Sequence, residues 1–94
     1  MASSAEPWSI RFDRAAEREL DKLDPPQARR VLKFLHERLA KLDDPRTLGE
    51  ALHGERFGTY SKYRVGDYRI IAQIEDATIV ILVLRIGHRR EVYR

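Results

Sequence analysis

The dipeptide Gly66-Asp67 sits between two runs of alternating residues, and no other feature of the chain constrains its fold as much. Glycine at the first position of a two-residue loop predicts a tight β-hairpin turn. Thr59 to Val65 and Tyr68 to Ile74 then become antiparallel strands. In that register Val65 faces Tyr68, Arg64 faces Arg69, Lys62 faces Ile71 and Tyr60 faces Gln73. Opposed residues share a face and successive residues alternate. One face carries Tyr63, Val65, Tyr68, Ile70, Ala72 and Ile74, and it should lie under other elements. The other carries Tyr60, Lys62, Arg64, Arg69, Ile71 and Gln73. Arg85 joins this second face if the next turn uses three residues. Arg64 opposite Arg69 is a like-charge pair, which costs stability unless water or an anion meets it.

The flanking segments supply what the hairpin must pack against. Trp8-Ser9-Ile10-Arg11-Phe12 alternates and predicts a short strand. Asp13 is placed to cap a helix with Ala16, Leu20 and Leu23 on one face. Asp24-Pro25-Pro26 ends that helix and opens a second, with Asp24 as N-cap. Its stripe is Ala28, Val31, Leu32, Leu35, Leu39 and Leu42, and Asp43-Asp44-Pro45 closes it. So short a link predicts an antiparallel helix hairpin. Residues 46–58 contain Gly49, Gly54 and Gly58 and read as a loop. Glu75-Asp76-Ala77 reads as a turn, and Thr78 to Ile86 as an apolar central strand. Residues 90–93 are candidates for a short last strand. The expected fold is α+β. An N-terminal strand and a helix hairpin precede a three- to four-stranded antiparallel sheet, with the helices on one face.

Length permits one domain, residues 8–94, behind a flexible leader at residues 1–7. Residues 1–50 hold ten Lys/Arg and ten Asp/Glu, whereas residues 51–94 hold eight against five. The net charge of +3 therefore resides wholly in the second half, which favours a polyanionic partner. The absence of cysteine excludes disulfides, thiolate catalysis and thiolate metal sites. The three histidines lack ligand spacing, so no metal and no cofactor is expected. His36 and His53 read as structural. Nothing near the N-terminus resembles a signal peptide, and no apolar run is long enough to span a bilayer. These features predict a cytoplasmic protein without membrane attachment.

Basic residues on an open sheet face are ordinary and also blunt strand edges. The run from Arg85 to Arg90 is denser than solubility requires, with Arg85, His88, Arg89 and Arg90 around Gly87. Tyr93 follows. Such a surface suits phosphates, with aromatic rings available to stack on bases.

Gly66-Asp67-Tyr68-Arg69-Ile70-Ile71, paired with Ile86-Gly87-His88-Arg89-Arg90-Glu91-Val92-Tyr93, resembles the RelE/ParE superfamily of bacterial toxins. The likeness spans roughly residues 8–94 and is greatest to the RelE branch, whose members resemble small microbial ribonucleases. It implies the toxin of a type II toxin–antitoxin system, a metal-independent endoribonuclease that cuts mRNA in the ribosomal A site and so inhibits translation. It implies as partners a RelB-like cognate antitoxin, the ribosome and mRNA. Operator DNA would be bound by the complex through the antitoxin. By position, Lys62 matches the proposed general base, Arg69 a transition-state clamp, Arg89 the acid or leaving-group stabiliser, and Tyr93 the stacking tyrosine. Arg64 matches a further basic position of the site. The chain departs from the pattern at Tyr60, where some members have a second lysine, and in a shorter segment between Gly87 and Tyr93.

Residue chemistry agrees with such a reaction. RNA is cut without metal when its 2′-oxygen attacks the adjacent phosphate, given a base, cations on the phosphoryl oxygens and a proton for the 5′-oxygen. Arginine is a poor proton donor but a good bidentate phosphate clamp. His88 is therefore the alternative acid. Arg64, Arg85, Arg90 and Tyr60 are candidate RNA or phosphate contacts. Asp67, Glu75, Asp76 and Glu91 read as turn and surface residues. Two other readings compete: a ParE-like DNA gyrase inhibitor without catalysis, and a non-toxic module that binds an antitoxin or RNA.

Overall fold

The computed structural model describes residues 7–54 and 58–88. The Arg89, Arg90 and Tyr93 assignments, and the possible last strand, lie outside the described residues.

Strand β1 spans Ser9–Phe12. Asp13 then turns the chain, its Oδ2 accepting from the Ala15 N–H at 3.2 Å, and helix α1 runs over Arg14–Asp21. Helix α2 begins at Pro25 and spans Pro25–Lys33. Asp24 occupies the N-cap position, but its side chain makes no capping bond. Pro26, at the second helical position, has no N–H, so one of the two donors that a cap side chain would serve does not exist. The helix continues through a wide π-type turn at Phe34–Arg38 and a tight 3₁₀ turn at Leu39–Lys41. Val31, Leu35 and Leu39 are fully buried at a spacing of four. At 3.6 residues per turn that spacing drifts by about 40° per step, and the wider turn takes up part of the drift.

The predicted hairpin forms as β3 (Gly58–Val65) and β4 (Tyr68–Glu75). Val65 pairs with Tyr68, Arg64 with Arg69 and Lys62 with Ile71. Gly66 has φ +60°, the left-handed region that the first position of this turn requires, and Asp67 does not share it. Strand β5 spans Val80–His88.

Three expectations need correction. The 46–58 segment is not all loop. It holds a 3₁₀ turn at Pro45–Leu48 and strand β2 at Glu50–Gly54, antiparallel to β3. Its strand propensity is low, and pairing with the edge of β3 overrides it. Four antiparallel strands, β2 to β5, follow the helices as expected, and β1 joins them to make a five-stranded sheet in the order β1-β5-β4-β3-β2. The sheet is mixed, because β1 runs parallel to β5, from Ser9 opposite Val80 to Phe12 opposite Val83. The central strand also begins later than predicted, since the turn before it extends to Ile79.

That turn has four residues, with Glu75 opposite Val80. Four residues alone would send Arg85 into the core. A β-bulge corrects this: Ala72 pairs with Val83 and Ile71 with Arg85, leaving Leu84 unmatched. Ile86 is thereby returned to the interior, 1% exposed. The core joins Ala16, Val31, Leu35 and Leu39 to Tyr63, Ile70, Ala72, Ile81, Val83 and Ile86 on the sheet. Both helices thus pack on the sheet face that carries the hairpin's apolar residues, as its alternation requires. Phe34 on the long helix packs against Tyr63, with ring centroids 6.0 Å apart.

Past Phe12, β1 no longer covers β5, and α1 takes over the edge. Glu19 accepts the Ile86 N–H at 2.7 Å and holds Arg85 by Nε at 3.0 Å and Nη2 at 2.8 Å. One carboxylate therefore stands in for a strand. Glu19→Ala leaves the Ile86 N–H unpartnered and should destabilise the fold by about 1–3 kcal/mol in urea denaturation. Glu19→Gln, which can still accept the backbone bond, should cost less.

Candidate RNA-binding groove

Alternation along β3 and β4 carries Lys62, Arg64 and Arg69 to the face that the helices leave open. They line one groove of about 310 Å³ together with Leu48, Gly49 and Glu50. Arg64 is exposed, and Arg69 is partly covered, with Nη1 3.3 Å from the Tyr68 carbonyl. Arg64 and Arg69 are directly opposed in register. Gly87 is the β5 neighbour of Arg69, so that strand presents no side chain directly opposite it. Tyr60 precedes Lys62 by two residues on β3 and so shares its face, opposite Leu52.

Glu50 is the residue that sequence reasoning missed. It opens β2, pairs with Lys62 in register, and its Oε1 lies 2.9 Å from Lys62 Nζ. The hydrogen bond from Lys62 and its charge hold the Glu50 carboxyl below its ordinary range, against a small opposing effect of burial, and Arg64 and Arg69 add to the lowering. No local motif marks this glutamate. It follows a glycine in an apparent loop, and only strand pairing brings it to the lysine.

The remaining expected site residues divide. Arg85 keeps register with Ile71 and Lys62, but Glu19 draws its guanidinium to the sheet edge and raises its pKa, chiefly through their hydrogen bond. It does not line the groove. His88 pairs with Tyr68, on the opposite face from Lys62, and meets the Tyr68 ring edge-on at 6.0 Å. It lines a separate depression with Glu19, Lys22 and Leu23. Asp67 is a turn residue as expected, and Asp76 is a turn residue with a structural task. Among the described residues, no cluster of three metal-binding side chains occurs, and no helix is long and apolar enough to cross a membrane.

Behind the groove, Arg46 bridges the Pro45–Leu48 turn to the β4–β5 turn. Its Nη2 lies 2.6 Å from Asp76 Oδ2, and its Nη1 lies 3.3 Å from Asp44 Oδ1. The Arg46 hydrogen bond, with its charge, holds the Asp76 carboxyl below its ordinary value. A carboxyl so lowered binds its proton less readily in the folded than in the unfolded chain. Its stabilisation is complete above the ordinary value of about 3.9 and falls away as pH drops through the folded value. Thermal melts should therefore show wild type losing more Tm below about pH 4 than Asp76→Asn, which lacks this carboxyl.

Residues 10–93 match the family described as the ParE toxin of type II toxin–antitoxin systems, parDE. Toxin RelG of Mycobacterium tuberculosis is 35% identical over 88 residues, covering 94% of this chain and 98% of that protein. The toxin–antitoxin complex RelBE2 of the same organism contains a chain that superposes with a TM-score of 0.79 at 29% identity, covering 96% of this chain and all of that one. A chain of the intact Escherichia coli RelBE complex superposes with a TM-score of 0.65 at 28% identity, over 86% of this chain and 95% of its own length.

Proposed function

We infer the activity from family and groove together: the chain belongs to the RelE/ParE superfamily and is the toxin of a type II toxin–antitoxin system. We propose that it is a metal-independent endoribonuclease that cuts mRNA in the ribosomal A site. The observation that carries this reading is the Glu50–Lys62–Arg64–Arg69 groove, which combines a carboxylate with three cations on an open sheet face.

In the proposed reaction the 2′-hydroxyl loses its proton and its oxygen bonds to the adjacent phosphorus. The bond from phosphorus to the 5′-oxygen breaks, and that oxygen takes up a proton. The products are a 2′,3′-cyclic phosphate and a 5′-hydroxyl. The Glu50 carboxyl, which the Lys62 contact holds below its ordinary range, is the acceptor at hand. We therefore assign proton acceptance to Glu50 and give Lys62 the task of steadying the nucleophile and a phosphoryl oxygen. Arg69, with Arg64 beside it, meets the charge that develops on the phosphorane. Leaving-group stabilisation by Arg89 and base stacking by Tyr93 complete the reading as the resemblance implies. His88, on the far face, is not used. A positioned base contributes on the order of 10²–10⁴-fold, and preorganised cations a similar amount.

The partner proposed is a cognate RelB-like antitoxin, in keeping with the complexes in which the similar chains occur. Cytoplasmic residence and operator binding through the antitoxin belong to the same proposal. The ParE description of the matching family keeps a gyrase-directed reading in view. A supercoiling assay run beside mapping of mRNA ends in a translating extract separates the two.

In that extract Arg69→Ala should lower cleavage by about 10²-fold or more while folding and antitoxin binding persist, since a cation on the open sheet face, even partly covered, contributes little to stability. Glu50→Gln should lose more than Lys62→Met. Supercoiling inhibition without new mRNA ends would overturn the ribonuclease assignment. The pH dependence tests the choice of base. Because Glu50 is held below its ordinary carboxyl range, wild-type cleavage should stay flat from about pH 5.5 to 8. A lysine acceptor with an ordinary value of about 10.4 would make the rate climb tenfold per pH unit there.

A further inference from the structure

We propose that Tyr63 is a positioning residue, which fixes the Pro45–Leu48 turn beneath the sheet and so holds Glu50 against Lys62. Tyr63 lies between Lys62 and Arg64 on β3, but its side chain points the other way, into the helix-covered interior, and is 2% exposed. Its hydroxyl donates to the Pro45 carbonyl at 2.8 Å, in a buried contact that reaches back 18 residues. Its ring lies under Gly49. A Cβ on that glycine would stand 2.6 Å from Tyr63 Cε1 and 2.6 Å from the Lys62 carbonyl oxygen. No side chain fits there without moving the ring or the β3 backbone.

These contacts converge on one result. The turn is tied to the Tyr63 hydroxyl at its first residue, and the chain leaves it across the Tyr63 ring. The next residue is Glu50, already paired with Lys62. At its other side the turn is held by Arg46 on Asp76. Burial pushes the Tyr63 phenol up, so the hydroxyl stays protonated and remains a donor. Stability alone would be served by any buried, satisfied hydroxyl. This one lies between two groove cations in sequence, and it grips the segment that delivers the groove's carboxylate. Misplacing a reacting group by about 1 Å can cost on the order of 10²-fold in rate.

The inference rests on the cleavage reading only for its kinetic arm, and the test keeps the two apart. The full-length toxin, released from its antitoxin, is titrated by carbon-detected NMR of the Glu50 carboxyl. Among the described residues, the charged groups that bear on Glu50 are Lys62, Arg64 and Arg69. Lys62→Met is the reference, since it removes the nearest of them and should raise the Glu50 midpoint towards its ordinary value. Tyr63→Phe keeps the ring and loses the hydroxyl. It should raise the midpoint in the same direction and lower kcat between about ten- and a hundredfold, with KM within twofold of wild type. Arg46→Ala loosens the same turn from its exposed side and should give a smaller rise, which serves if Tyr63→Phe fails to fold. A purely structural role would lower Tm and leave the Glu50 titration unmoved. An unchanged midpoint in both variants, or a raised KM at unchanged kcat, overturns the proposal. A shifted midpoint in a toxin whose wild type cuts no RNA upholds the positioning and refutes the cleavage reading.

Discussion

The two-residue period of the pleat is the constraint on which this molecule depends, because one parity must hold from β2 across to β5. Glycine at position 66 sets it, by allowing a turn that puts Arg64 against Arg69 and Tyr63 against Ile70. The four-residue turn before β5 would break it. The bulge at Leu84 restores it, and Ile86 enters the core while Arg85 does not. A slip of one residue in either place would exchange cations for core side chains along a whole strand.

The cost of gathering like charges is visible in the same geometry. Arg64 and Arg69 oppose each other, and Lys62 joins them along β3. Glu50 offsets part of that repulsion, and its own carboxyl is correspondingly easy to keep ionised. The remaining excess is positive and faces outward, where a phosphate backbone would relieve it. The groove is thus poised between an internal anion and an external one. This is why the carboxylate and the lysine are better understood as a pair than as separate residues.

How far the sequence was legible follows from the range of each interaction. The hairpin register, both sheet faces, the helix stripes and the Asp13 cap depend on neighbours in the chain, and all were readable. Lys62, Arg64 and Arg69 were placed together by alternation alone. Strand β2 was hidden because Glu50-Ala51-Leu52-His53-Gly54 has little strand character and owes its form to β3. Glu50 was hidden with it. Arg85 keeps the predicted face, but its ion pair was hidden because its partner, Glu19, lies 66 residues away on α1. The parallel pairing of β1 with β5 could not be seen from either strand separately. Asp24 looked like a working cap, but its side chain makes no capping bond, and Pro26 removes one of the donors it would serve.

That parallel pairing also sets an order of events. The strand that lies between β1 and β4 is the last of the five in the chain, and the first strand waits for it, Ser9 against Val80. During synthesis the helices and the β2–β3–β4 meander emerge before β5 can join them. The apolar face of β4 then has only half its neighbours, and β1 has none. Closing contacts so distant in sequence is slow, and the waiting edges are open to other strands. The strands that carry the groove, β2 to β4, therefore lack their β5 neighbour on a partly made chain. The fold itself thus delays the complete sheet until β5 has left the ribosome that is making it.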